Sequence, residues 1–153
     1  MVTIKPKTIV QQHVEAECPT HARTDVRVRN LTLTIDEPEE RGGTNKGPAP
    51  TETAIAALLG CTNTIGHKCA HQLGITIRSM SVSAKASFDR RGVTLAEEID
   101  VPYPEIQLRV VVESDASQAD IERLGVEVAK FCPLAKIFKQ AGTTLNEEWI
   151  LKS

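Results

Sequence analysis

At 153 residues, 41% of them hydrophobic, the chain has the length of a single domain over residues 1–153 and enough apolar content for a core. A net charge of −2, from 18 basic and 20 acidic interspersed residues, lacks the clustered lysine and arginine that drive phosphate binding, which argues against a nucleic-acid partner. The longest apolar stretch, Ala54 to Cys61, falls far short of the roughly 20 residues of a membrane span, and no signal-peptide pattern follows Met1; no membrane partner and a cytoplasmic location are therefore expected.

Val26 and Val28, then Leu31, Leu33 and Ile35, alternate with polar residues in the period of a half-buried strand, with a register change near Asn30. Asp36-Glu37-Pro38 ends this run. Arg41 to Pro50 holds three glycines and two prolines and reads as a loop. A helix follows. Thr51 suits its N-cap, Glu52 its first turn, where a carboxylate favours the positive end of the dipole, and Gly74 its C-terminal stop. From Ala54 this helix is apolar nearly all round, as a helix covered on most sides would be.

Met80, Val82, Ala84, Ala86 and Phe88 alternate with serines and a lysine as a second strand region, and Ile106, Leu108, Val110 and Val112 repeat the pattern. Ile121, Leu124, Val128 and Cys132 fall at helical spacing. Pro133 pushes Cys132 out of helical geometry and opens a short helix that ends before Gly142, and Thr143 to Leu151 closes the chain as a strand. Together these describe an α+β domain with antiparallel sheets around a long buried helix. A helix so apolar is too much for one small sheet to cover, which implies a second copy of the chain, an obligate homodimer.

The four cysteines carry the chemistry. In a reducing compartment they are expected to be free, catalytic or metal-bound rather than stapled into structural disulfides. Cys61 shares a helix face with Leu58, Ile65 and Cys69, and by pattern alone an inert core thiol is the better reading of it. Cys132 stands at a helix N-terminus, which favours a thiolate. Cys18 and Cys69 read as spectators. His67 and His71 are spaced i, i+4, but no CxxC accompanies them and Cys61 and Cys69 lie elsewhere on the helix, so no metal site is expected. The glycine loop lacks the Gly-Lys-Ser/Thr ending of a phosphate cradle.

Gly42-Gly43-Thr44-Asn45-Lys46-Gly47-Pro48-Ala49-Pro50-Thr51-Glu52, Ala56-Ala57-Leu58-Leu59-Gly60-Cys61 and Cys132-Pro133 resemble the OsmC/Ohr family of small thiol peroxidases, in its general OsmC-like branch. The resemblance spans nearly the whole chain. It implies an intertwined homodimer with central helices wrapped by sheets, Cys61 as the peroxidatic cysteine and Cys132 as the resolving one. The implied substrate is a small organic hydroperoxide, the implied reductant an external dithiol, and no cofactor is implied. The best-studied members place a glutamate ten residues before the peroxidatic cysteine, where this chain has Thr51; its Glu52 is nine before, on the opposite helix face, whereas ten steps would bring a side chain within about 80°. Glu52 is accordingly a candidate for either a helix-start charge or an active-site role. The family's activating arginine comes from the early strands, where Arg23, Arg27 and Arg29 share one parity. Two classes of function remain open: a cysteine-dependent hydroperoxide reductase, and a non-catalytic dimer that binds an apolar small molecule.

Overall fold

The computed structural model describes residues 8–152. The chain divides into two compact units, one ending at Thr53 and one beginning at Ala54.

In the first unit, β1 (Glu15–Glu17), β2 (Thr24–Val28) and β3 (Leu31–Ile35) form an antiparallel meander. The register change expected near Asn30 is a two-residue hairpin turn: Val28 faces Leu31, and Arg29 takes φ +56°. Beyond β3 the chain folds around one carboxylate. Asp36 is fully buried; its Oδ2 accepts from the Thr44 hydroxyl at 2.6 Å and from the N–H groups of Thr44 and Lys46 at 3.1 Å each, and its Oδ1 accepts from the Glu37 N–H at 2.8 Å. The Thr44 hydroxyl above all, with these backbone donors, outweighs burial and holds the Asp36 carboxyl down at about 2. The glycines of this loop are steric requirements: a Cβ on Gly43 would stand 1.8 Å from the Glu37 carbonyl oxygen, and one on Gly47 2.0 Å from that of Thr34.

The loop ends at α1 (Pro50–Leu73), two residues earlier than an N-cap at Thr51 allows. Thr53 N–H donates to Ala49 O at 2.8 Å, which makes Ala49 the cap and Pro50 the first helical residue, a position where a missing N–H costs nothing. Alanine has no capping oxygen, and the Thr51 hydroxyl lies past the cap.

In the second unit, α1 buries Leu58, Thr62, Gly66, Cys69 and Ala70, a single stripe at helical spacing. The all-round cover expected of this helix is not provided by its own chain: Ala56, Ala57, Gly60, Asn63 and Thr64 are exposed. Gly74, at φ +72°, ends the helix as expected. The second sheet has β5 (Glu105–Glu113) at its centre, flanked by β4 (Ser79–Ser87) and β6 (Thr144–Leu151). Along β5 the buried Ile106, Leu108, Val110 and Val112 alternate with more accessible residues. The expected antiparallel pairing holds for β4 and β5, but β6 runs parallel to β5. The physical reason is the connection: α2 (Gln118–Phe131) and α3 (Pro133–Gln140) form a crossover long enough to bring the chain back in the same direction. A capping box of Ser117 and Asp120 starts α2, which buries Ile121, Leu124, Gly125 and Val128 against the core that also holds Leu58, Trp149 and Cys132. No helix among the described residues is long and apolar enough to cross a membrane.

Candidate active site

Cys61 sits on α1 between the buried Thr62 and Leu58 side of the helix and the exposed Gly60, and is itself half-buried. Cys132 belongs to two helices at once. Its N–H donates to Val128 O at 2.9 Å and closes α2; its carbonyl accepts from Lys136 N–H at 3.1 Å and opens α3. Pro133 excludes helical geometry at the preceding residue, and Cys132 takes ψ 109°, as the sequence leads one to expect. This kink turns the side chain inward, where it is 1% exposed.

The two sulfurs, 71 residues apart in sequence, meet at 3.2 Å, with the Cys132 S–H donating to Cys61 Sγ. Both are free thiols. A disulfide bond is about 2.05 Å long, so a closure of roughly 1 Å would link them. Ala135 N–H, in the first turn of α3, donates to Cys132 Sγ at 3.5 Å. This is the helix N-terminus expected to favour a thiolate, yet it loses to desolvation: burial first, helped by the neighbouring Cys61 sulfur, pushes the Cys132 thiol up to about 11. Cys132 therefore keeps its proton at neutral pH and presents it to Cys61. The sequence signal for the Ala135 contact was the Cys-Pro pair itself, since a proline at the first helical position makes the preceding residue the cap.

Each of the other candidates has its own surroundings. Cys69 is 4% exposed, and burial, with the Glu127 charge second, raises its thiol. Cys18, exposed in the first unit, has its sulfur 3.9 Å from Thr24 Oγ1. Arg23, Arg27 and Arg29 do not share a strand face as expected, because β2 contains only Arg27. Arg23 Nε binds Asp25 at 3.0 Å, Arg27 pairs with Glu15 at 3.3 Å and Glu17 at 3.6 Å, and Arg29 occupies the hairpin turn. His67 and His71 are exposed, His67 Nδ1 lying 3.0 Å from Asn63 O. Among the described residues no group of three His, Cys, Asp or Glu side chains is placed to hold a metal ion.

Glu52, in the first unit, accepts from Ala49 N–H through Oε2 at 2.8 Å, the reciprocal half of a capping box whose other half alanine cannot supply. Glu52→Gln keeps an oxygen acceptor for that N–H. We expect it to leave the rate of Cys61 oxidation by hydroperoxide within about twofold and thermal stability within about 1 kcal/mol, the usual scale of a cap. A loss of oxidation rate above tenfold in stopped-flow measurements would instead give the carboxylate a part in the chemistry.

Residues 43–148 match the family described as OsmC-like protein. The chain belongs to that family. Solved structures agree on the fold of this OsmC-like protein. An OsmC-like protein from Mycoplasma pneumoniae aligns over 94% of this chain and 99% of its own, with a TM-score of 0.79 at 18% identity. An organic hydroperoxide resistance protein OsmC from Legionella pneumophila aligns over 96% and 100%, with a TM-score of 0.65 at 14% identity. The organic hydroperoxide resistance protein OhrB of Bacillus subtilis aligns over 94% and 98%, with a TM-score of 0.62 at 19% identity. No curated protein sequence matches the chain significantly.

Proposed function

We propose that this OsmC-like protein is a cysteine-based peroxidase that reduces small organic hydroperoxides. The observation that carries the reading is the 3.2 Å approach of Cys61 Sγ to a buried thiol that points its proton at it. Structural relatives of this fold are named organic hydroperoxide resistance proteins, which supports the substrate class.

The half-exposed Cys61 is the nucleophile of the pair, because Cys132 is buried and protonated. The Cys61 thiolate attacks the terminal peroxide oxygen, the O–O bond breaks, and the alkoxide takes a proton and leaves as an alcohol, with Cys61 oxidised to sulfenic acid. The Cys132 sulfur then attacks Cys61 Sγ, the S–O bond breaks, and the hydroxyl leaves with the Cys132 proton as water. An external dithiol reduces the Cys61–Cys132 disulfide and completes the cycle, which suits a reducing, cytoplasmic compartment. Glu52 enters as the carboxylate that holds the start of α1. No metal or organic cofactor takes part in these steps.

Turnover is the test: with dithiothreitol as reductant, the protein should consume many equivalents of cumene hydroperoxide. Thr51, where the family resemblance puts a glutamate, favours a second reading, a non-catalytic dimer that binds an apolar small molecule. A folded protein that consumes no hydroperoxide would select it.

The reading includes a homodimer. On one chain Ala56, Ala57 and Gly60 of α1 are exposed, and so are Phe131 and Ile137, at 56% and 58%. Covering such faces with a second copy couples folding to association, so the unfolding midpoint should rise with protein concentration. A stable monomer in sedimentation, with a concentration-independent midpoint, would remove the dimer from the account.

A further inference from the structure

The chain's only tryptophan is Trp149, on β6, where it pairs in register with Val110 and is 6% exposed. Its indole stands between the two helices that carry the thiols. A Cβ built on Gly125 of α2 would lie 2.4 Å from the ring's Cδ1, 2.7 Å from Cγ and 2.8 Å from Nε1, so the helix backbone passes the five-membered ring at a distance open only to glycine. At the far end of the ring, a Cβ on Gly66 of α1 would lie 3.5 Å from Cη2, an ordinary contact, with Met80 Cε nearer at 3.1 Å. The indole N–H is buried and has no hydrogen-bond partner among the described residues, so the ring is held by shape rather than by a directional bond. The start of α2 is tied to the same strand: Gln118 donates to Trp149 O at 2.9 Å and accepts from Leu151 N–H at 2.7 Å.

The geometry points to Trp149 as a positioning residue for disulfide closure: packed tightly on Gly125 of α2 and reaching, beside Met80, to Gly66 of α1, the indole sets how closely Cys132 at the end of α2 approaches Cys61 on α1. The inference rests on the Cys61–Cys132 couple proposed above. In the step concerned, the Cys132 sulfur displaces hydroxide from the Cys61 sulfenic acid, the S–O bond breaking as the S–S bond forms and the Cys132 proton leaving in water. Alanine at 125 would have to move ring or helix by about 1 Å to reach ordinary contact, and the clashing atoms belong to a rigid ring that is itself buried. A misplacement of that size costs on the order of 10²-fold in a reaction that depends on positioning. Attack of Cys61 on peroxide does not depend on the same approach.

The test compares wild type, Gly125→Ala and Trp149→Phe, the last keeping a ring beside Gly125 but too short to span to Gly66. Each reduced protein is mixed with one equivalent of cumene hydroperoxide and quenched with dimedone at successive times. Mass spectrometry then counts trapped Cys61 sulfenic acid against Cys61–Cys132 disulfide. In parallel, each protein is equilibrated with dithiothreitol redox buffers, which read the stability of the disulfide without peroxide, and unfolding curves establish that each is folded. Gly125→Ala should shift the partition toward sulfenic acid by tenfold or more and lower the equilibrium constant for the disulfide by a similar factor, with the rate of the first oxidation changed less than threefold. Trp149→Phe should shift both in the same direction, and it decides the matter alone if Gly125→Ala does not fold. A folded variant with wild-type partition and wild-type disulfide equilibrium would overturn the inference. A wild type that closes its disulfide in redox buffer but gives no sulfenic acid with hydroperoxide would defeat the peroxidase reading and leave the positioning role to be judged on the redox equilibrium.

Discussion

Without added thiol and at one equivalent of cumene hydroperoxide per chain, Cys132→Ser should consume that equivalent and hold it as Cys61 sulfenic acid rather than disulfide, whereas Cys61→Ser should consume none. The asymmetry follows from burial. Cys61 is half-buried and can meet a peroxide, while Cys132 is 1% exposed and protonated, and acts only once the neighbouring sulfur has become an electrophile. With serine at 132 the sulfur that lies 3.2 Å from Cys61 is gone, so without added thiol dimedone should trap the sulfenic acid in high yield. Excess hydroperoxide should then drive Cys61 on to sulfinic acid, which dithiothreitol does not reverse. Peroxide consumption, measured against trapped adduct, checks both variants. Equal loss of the first equivalent in the two would reverse the assigned order of events.

The pH dependence of closure is expected to be equally large. Burial raises the Cys132 thiol to about 11, so at pH 7 on the order of one molecule in 10⁴ carries its thiolate. Because the thiolate is the attacking form, the conversion of trapped-competent sulfenic acid to disulfide should accelerate about tenfold per pH unit, some 100-fold from pH 7 to pH 9. The formation of the sulfenic acid should not follow that slope. Rapid-quench kinetics with dimedone separate the two steps; a closure rate flat between pH 7 and pH 9 would mean that the Cys132 proton is not the barrier. Stability should carry the same signature with the opposite sign. A thiol raised in the folded state stabilises below its unfolded pKa, and that contribution is lost as pH climbs from about 8.5 toward 11. Cys132→Ser should lose less over this interval.

The sequence made the alternation of β5, the stop at Gly74 and the break before Pro133 readable, because each is a local pattern with a single physical cause. Three features were beyond it. The parallel β5–β6 pairing depends on where the crossover helices set the chain down, which period-two alternation does not encode. The start of α1 is displaced because Ala49 O already accepts from the Thr53 N–H while the Glu52 carboxylate accepts from the Ala49 N–H, which makes Ala49 the cap. At Cys132 the helix N-terminus is legible in the sequence, but the burial that outweighs it depends on packing, which the local pattern does not encode. Likewise, Cys61 and Cys132 were each visible as candidates, one from an apolar helix face and one from its proline, while their meeting at 3.2 Å rests on how α1 and the α2–α3 junction pack, with Trp149 between the helices.

The central claim is that these two thiols, of the four in the chain, form one redox couple. Peptide mass mapping after treatment of the reduced protein with one equivalent of cumene hydroperoxide tests it most directly. The account predicts a single intramolecular bridge from Cys61 to Cys132, with Cys18 and Cys69 recovered as free thiols. A bridge from Cys61 to Cys69 or Cys18, or a folded protein in which all four thiols survive the treatment, would contradict it.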